Sequence, residues 1–138
     1  ERIGPTAALK TLEVMGKTKS WEVITHIGID IGKRWKALGE KYQLPLKING
    51  LPSMIGFIIQ SQDWLKYKTF ITQEMLKNNI LASNVIYVCT EHGKQEIDNY
   101  FQILDPIMKT ISACENDDVL IDSLLNSPVC HSGFKRLN

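Results

Sequence analysis

Histidine and cysteine side chains are the first candidates for chemistry in this sequence. His92 stands between a predicted strand and a predicted helix with no nucleophile beside it, so its position favours a turn or helix-cap role over catalysis. Cys130 and His131 are adjacent, whereas a catalytic thiol and its base are usually distant in sequence. We therefore predict no catalytic role for these three residues.

Carboxylates and lysines offer no stronger site. The nearest acidic pairs, Asp117–Asp118 and Glu96–Asp98, stand where helices are expected to begin, and negative charge is favourable there. No lysine lies in an apolar run that would desolvate its amine for Schiff-base chemistry. Phosphate-binding glycine motifs and the metal-binding HExxH motif are absent from the sequence. The residues alone predict a domain without a self-contained active site, metal site or cofactor lysine.

Length and composition exclude several classes of protein. The 138 residues fit one domain with a sizeable core, and a net charge of +1 gives no electrostatic basis for binding nucleic acid or a membrane surface. Three cysteines without CxxC spacing predict neither a disulfide framework nor a zinc site. No apolar run approaches the roughly 20 residues of a membrane span. We expect a cytoplasmic domain with no nucleic-acid or membrane partner.

Apolar residues at steps of three and four predict five helices, with Ser20 and Asp63 as N-caps of the second and third. The predicted helical segments are 5–16, 20–42, 63–78, one from Lys94 past Ile111 that Pro106 could kink, and a short one that Asn116–Asp118 would cap, ending near Leu125. Gly28 and Gly32 leave one stripe of the second helix without side chains, which predicts close packing against another element.

Three strands are predicted between these helices. Residues 46–49 alternate apolar and polar, 54–60 are rich in β-formers, and the turn-forming residues between them indicate an antiparallel hairpin. A third strand is predicted at 85–89. The order of elements predicts an α+β fold in which a small three-stranded, mainly antiparallel sheet carries its helices on one face.

Three segments carry a resemblance to a known family. They are ERIGPTAALKTLEVM at 1–15, INGLPSMIGFIIQ at 48–60 and EHGKQEIDNYF at 91–101. In order and spacing the chain resembles the C-terminal small domain of class III aminotransferases, in the glutamate-1-semialdehyde aminomutase-like branch of fold-type I pyridoxal phosphate enzymes. The resemblance covers essentially all of residues 1–138, including 5–16 as the connecting helix.

The resemblance implies a large domain outside this chain, which would hold pyridoxal phosphate and the Schiff-base lysine. It also implies a homodimer and a small amino-acid or amino-sugar substrate, with residues 1–5 near the subunit interface. The 138 residues alone are expected to bind no cofactor and to be inactive. The alternative is a stand-alone, non-catalytic interaction or ligand-binding module.

The resemblance also singles out the loop before the third strand. Ser83 and Asn84 occupy the position of the family's Pro-Ser loop, and both side chains can hydrogen-bond a carboxylate or hydroxyl. They are the predicted substrate-binding residues, with an ordinary turn as the alternative. The loop is shorter here than in the aminomutases, so amino-group transfer and 2,1-isomerisation both stay open.

Overall fold

The computed structural model describes residues 2–133. Glu1 and residues 134–138 lie outside the described residues, and with them lies part of the predicted interface segment at 1–5. The elements are α1 (Ile3–Thr18), α2 (Ser20–Lys41), β1 (Leu46–Leu51), β2 (Met54–Ile59), α3 (Trp64–Lys77), β3 (Val85–Tyr87), α4 (Lys94–Glu115) and α5 (Ile121–Leu124).

The three strands form one sheet in the order β1-β2-β3, and both pairings are antiparallel. The predicted hairpin is confirmed: Leu51 pairs with Met54, so Pro52–Ser53 alone connects β1 to β2. The predicted α+β fold is confirmed as well, and the sheet is wholly rather than mainly antiparallel. Gly50, beside this turn, has a φ of 88°. Residues with a side chain rarely adopt this conformation.

The core lies between one face of the sheet and the helices. Ile55, Phe57 and Ile59 are buried at alternate positions of β2, as expected for a strand with one covered face. Trp35 of α2 is fully buried beside Phe57, with ring centroids 4.8 Å apart. Its indole N–H donates to the hydroxyl of buried Tyr100, at 3.1 Å, which ties α2 to α4 inside the core.

The glycine stripe of α2 packs against the sheet, as predicted. A Cβ at Gly28 would overlap the carbonyl oxygen of Pro52, and one at Gly32 would stand 2.8 Å from Cδ1 of Ile55. The missing side chains therefore let α2 approach the hairpin turn and β2 more closely than any larger residue would permit.

The backbone corrects the predicted N-cap of α2 and the predicted end of α1, and it keeps Asp63 as the N-cap of α3. α1 continues to Thr18, two residues beyond the predicted end at Gly16, and Lys19 then takes a left-handed conformation with φ 48°. Lys19 is the N-cap of α2, and Ser20 is already its first helical residue. Asp63 is at the N-cap of α3 as predicted, but its side chain makes no capping hydrogen bond.

The segment Asn116–Asp118 ends α4 rather than starting α5. Asp117 has a left-handed φ of 61°, and the N–H of Asp118 donates to the carbonyl of Ala113, so these residues close the last turn of α4. Leu120 is the N-cap of α5. α4 itself runs without interruption across Pro106.

The strand boundaries also differ from prediction. β1 extends to Leu51, because its last residues complete the ladder with β2. β3 ends at Tyr87, although Val88 still donates its N–H to the carbonyl of Ser53. β2 begins at Met54, so Cys89 has no partner in β2 and starts a turn instead.

Candidate functional site

Ser83 and Asn84 lie together at the start of β3. The Asn84 side-chain amide donates to the carbonyl of Phe57 at 3.1 Å, and the Phe57 N–H donates to the carbonyl of Asn84 at 3.0 Å. Asn84 therefore extends the β2–β3 pairing by one residue beyond the strand. The Ser83 hydroxyl donates to Oδ1 of Asn84 at 3.3 Å, which holds both side chains in one hydrogen-bonded chain.

A cavity of about 510 Å³ adjoins β3. Three segments line it: residues 79–82, which lead into the Ser83–Asn84 pair; all three residues of β3; and His92 with the first turns of α4. Ser83 and Asn84 themselves are not among its lining residues. We call this cavity the β3 groove.

His92 faces the β3 groove from the turn after β3. Its backbone N–H donates to the carbonyl of Cys89 at 3.2 Å, and its ring Nδ1 accepts the N–H of Cys89 at 3.3 Å. The predicted turn role is confirmed. Since a backbone N–H can only donate, this bond is made by the tautomer that carries its proton on Nε2.

Glu96 stands beside His92 in the lining of the β3 groove and belongs to the first turn of α4. Its carboxylate folds back over Gly93, where a Cβ would lie 2.7 Å from Oε2 of Glu96. A carboxylate at this place favours the helix start. Together, His92 and Glu96 supply one donor and one acceptor, which suits hydrogen bonding to a ligand.

The remaining candidate pairs do not form sites. The Asp98 carboxylate forms an ion pair with Arg34, with 2.7 Å between Oδ1 and Nη1, and this guanidinium lowers the pKa of the Asp98 carboxyl. The Cys130 thiol donates to the carbonyl of Leu65 at 3.5 Å, while His131 is exposed. The Cys130 thiol is thus directed to the Leu65 carbonyl, in line with the prediction that Cys130 and His131 do not form a catalytic pair.

The described lysines do not fit the amine of a pyridoxal phosphate site. None of them is buried, and a Schiff-base lysine must be neutral when it reacts. The carboxylate of Asp105 instead raises the pKa of Lys41, and those of Asp122 and Asp63 raise the pKa of Lys66. Both amines are held protonated. Within residues 2–133 no group of three potential metal ligands exists either.

The Tyr67 and Cys114 side chains belong to the hydrophobic core. Burial, followed by the hydrogen bond from its own hydroxyl to Glu115, raises the pKa of Tyr67 far above its usual range. Burial raises the pKa of the Cys114 thiol as well. Groups shifted in this direction stay protonated and are poor nucleophiles.

Comparison with known proteins gives one informative match. No family model matches the chain, and no curated protein sequence matches it. A solved structure of the FumI protein of Sphingopyxis sp. MTA144, in its PLP internal aldimine form, matches 86% of this chain with a TM-score of 0.69 and 16% sequence identity. The chain shares its fold with part of a pyridoxal phosphate protein.

The match covers only a minor part of that protein. This chain spans 29% of the length of the FumI chain. At 16% identity the likeness establishes the fold alone, with no assignment of individual residues. Across residues 2–133, no helix has the length and apolar character needed to cross a membrane.

No sequence pattern links His92 to residues 79–82, although the structure brings both to the β3 groove. Residues 79–82 precede β3 and His92 follows it. Their position at the two ends of a short strand is the one feature of the sequence that could have indicated that they lie near each other. Ser83 and Asn84 follow the lining residue Ala82 in the chain but do not line the cavity themselves. The partner of Asn84, Phe57, lies 27 positions away in sequence.

Proposed function

We propose that this chain is the C-terminal small domain of a pyridoxal phosphate-dependent aminotransferase or aminomutase. The observation that carries the proposal is the fold shared with the FumI structure over 86% of this chain. The cofactor would supply Schiff-base chemistry and an electron sink from a large domain that precedes these residues. This domain would contribute part of the substrate pocket and of a homodimer, and would be inactive alone.

One face of the sheet supports a role as part of a larger protein. Strand alternation places Leu51, Met54, Ile58, Val85 and Tyr87 on the face opposite the core. Leu51 is 67% exposed and Tyr87 is 73% exposed. Lys47 and Asn49 share this face beside Ile58, so its exposed apolar part is Leu51, Met54, Val85 and Tyr87. Exposed apolar surface of this kind marks interaction sites. We propose that this open sheet face packs against the large domain.

Ser83 is the better of the two proposed substrate-binding residues. The amide of Asn84 is engaged by Phe57, so Asn84 would act mainly by fixing the loop. The Ser83 oxygen, after donating to Asn84, can still accept a hydrogen bond, and its proton can turn to a substrate carboxylate. The proposed substrate is a small amino acid or amino sugar, and the free cysteines fit a reducing cytoplasm.

The alternative function is a stand-alone, non-catalytic interaction or ligand-binding module. The β3 groove, with its His92 and Glu96 hydrogen-bonding groups, is the observation that favours it. The two functions differ in one respect that is easy to measure, because only the enzyme needs a lysine–cofactor adduct.

The absorbance spectrum of the protein encoded by the complete reading frame tests the proposal. With added pyridoxal phosphate we expect an internal aldimine band that disappears on borohydride reduction, while the 138-residue chain alone gives no such band. An intact protein without the band would refute the enzyme assignment.

If the intact protein is active, Ser83→Ala should raise KM for the amino substrate about tenfold, because a hydrogen bond to a charged group is lost. Ser123→Ala is the matched control, since the Ser123 hydroxyl bonds only to the nearby Leu120 carbonyl. Equal KM values for the two variants would exclude Ser83 from substrate binding.

A further inference from the structure

The free edge of β3 carries backbone groups that no part of the described chain satisfies. The β2–β3 register pairs Ile55 with Ile86, and the bonds of Asn84 and Val88 to β2 show that even-numbered residues here direct their backbone toward β2. In an antiparallel strand the intervening residues direct theirs away. The N–H and C=O groups of Val85 and Tyr87 therefore point to the outer edge, where no turn or loop group within residues 2–133 bonds to them.

The β3 groove runs along this same edge. All three residues of β3 line it, and no residue of β1 or β2 does, so it lies on the unpaired side of the strand. Its other walls are residues 79–82 and the start of α4. Its volume of about 510 Å³ is within the range of ordinary ligand-binding clefts.

We infer that the β3 groove is a strand-addition site, which binds one extended segment of a partner polypeptide through the outward backbone groups of Val85 and Tyr87. An added strand pairs its own N–H and C=O groups with such an edge, and alternate side chains enter flanking pockets. Side chains of the segment opposite Ile86 would face the apolar lining of Ile80 and Ile97. The partner segment therefore has apolar residues at alternate positions.

The walls of the groove determine whether a single extended segment or the sheet of a second copy can pair with β3. Neighbouring strands lie about 4.8 Å apart, so a strand pairing with β3 must enter the space between β3, residues 79–82 and α4. A lone extended segment can do so. The β3 edge of a second copy brings its own walls, which would occupy the same space, and self-pairing is disfavoured for that reason.

The inference stands apart from the proposed function, and peptide binding by the 138-residue chain tests it. Ten-residue peptides are selected from a randomised displayed library, and the dissociation constant of each selected peptide is measured by titration calorimetry. We expect alternating apolar residues among them. N-methylation at every second residue in one register should weaken binding at least about tenfold, while the opposite register should be tolerated, since only one set of N–H groups faces β3.

Two protein variants complete the test. Tyr87→Pro removes an outward N–H without removing a bond to β2 and should reduce peptide affinity about tenfold. Tyr87→Thr loses the same ring but keeps the N–H, so it should bind the selected peptides about tenfold more tightly than Tyr87→Pro does. If Tyr87→Pro fails to fold, the N-methylated peptides decide.

Three results would overturn the inference. They are a library that yields no binding peptide, binding that tolerates both N-methylation registers, and a stable dimer of this chain that dissociates on Tyr87→Pro. The last result would assign the edge to self-pairing.

Discussion

At the scale of single residues, Gly28 illustrates how one missing side chain sets the distance between two elements. A Cβ at this position would overlap the carbonyl oxygen of Pro52, in the turn that joins β1 to β2. Gly16, in contrast, has open space around the position of a Cβ. The two glycines are both helical, so they form a matched pair that separates packing from helix propensity.

We predict that Gly28→Ala destabilises the chain by about 3 kcal/mol or more, because either α2 or the hairpin turn must move. Gly16→Ala should instead stabilise α1 slightly, by up to about 1 kcal/mol where α1 contributes to the transition. Urea unfolding followed by circular dichroism measures both. Similar free energies of unfolding for the two variants would show that the close approach at Gly28 is unimportant.

At the scale of elements, α2 and α4 are joined at their surface as well as in the core. Asp105 of α4 accepts hydrogen bonds from Nζ of Lys41 at 2.6 Å and from the hydroxyl of Tyr42 at 2.8 Å. Lys41 first, and Tyr42 second, lower the pKa of the Asp105 carboxyl. The folded chain therefore favours the ionised form of Asp105.

This shift predicts a pH dependence of stability with a defined sign. A carboxyl whose pKa is lowered by folding stabilises the protein above its unfolded pKa of about 3.9, and the contribution disappears as the pH falls through the lowered pKa. Asp105→Asn should therefore reduce the free energy of unfolding at pH 7 and match the unmodified chain at pH about 2. The effect should be small, since solvent screens this half-exposed pair.

Urea midpoints measured between pH 2 and 7 check the Asp105 prediction. Asp118→Asn is the control, because Asp118 is exposed and makes no ion pair within the described part of the chain. A constant difference between Asp105→Asn and the unmodified chain at all pH values would contradict the ionic origin of the effect.

At the scale of the whole molecule, the chain divides into a packed body and one helix that adds little to it. α1 has no buried residue, whereas α2 buries Ile31, Trp35 and Leu38. Leu9 and Leu12 of α1 remain 70% and 64% exposed. A helix that leaves its apolar side chains in water gains little stability from the fold.

We predict that deleting residues 1–18 changes the free energy of unfolding of the remainder by no more than about 0.5 kcal/mol. Thermal unfolding of the shortened chain and of the 138-residue chain measures this directly. Trp35→Phe serves as the comparison and should cost about 2 kcal/mol or more, since it opens space in the core and leaves the Tyr100 hydroxyl without its indole donor. A deletion as costly as Trp35→Phe would show that α1 belongs to the core.

The sequence by itself determined the elements and the one-sided sheet. Apolar spacing of three and four indicates the helices, alternation around Pro52–Ser53 indicates the hairpin, and Gly28 with Gly32 indicates a close contact, because these signals depend on residues near one another in the chain. Local signals were less reliable at ends such as Ser20 and Asn116–Asp118, where neighbouring helices compete for the same residues.

Only the tertiary structure decided what surrounds β3. The bond of Asn84 to Phe57, the position of His92 beside residues 79–82 and the outward backbone of Val85 and Tyr87 all depend on strand order and register. A shift of one residue in register would reverse which backbone and side-chain groups point outward. The burial of apolar residues across the whole core selects that register, and no short stretch of sequence contains this information.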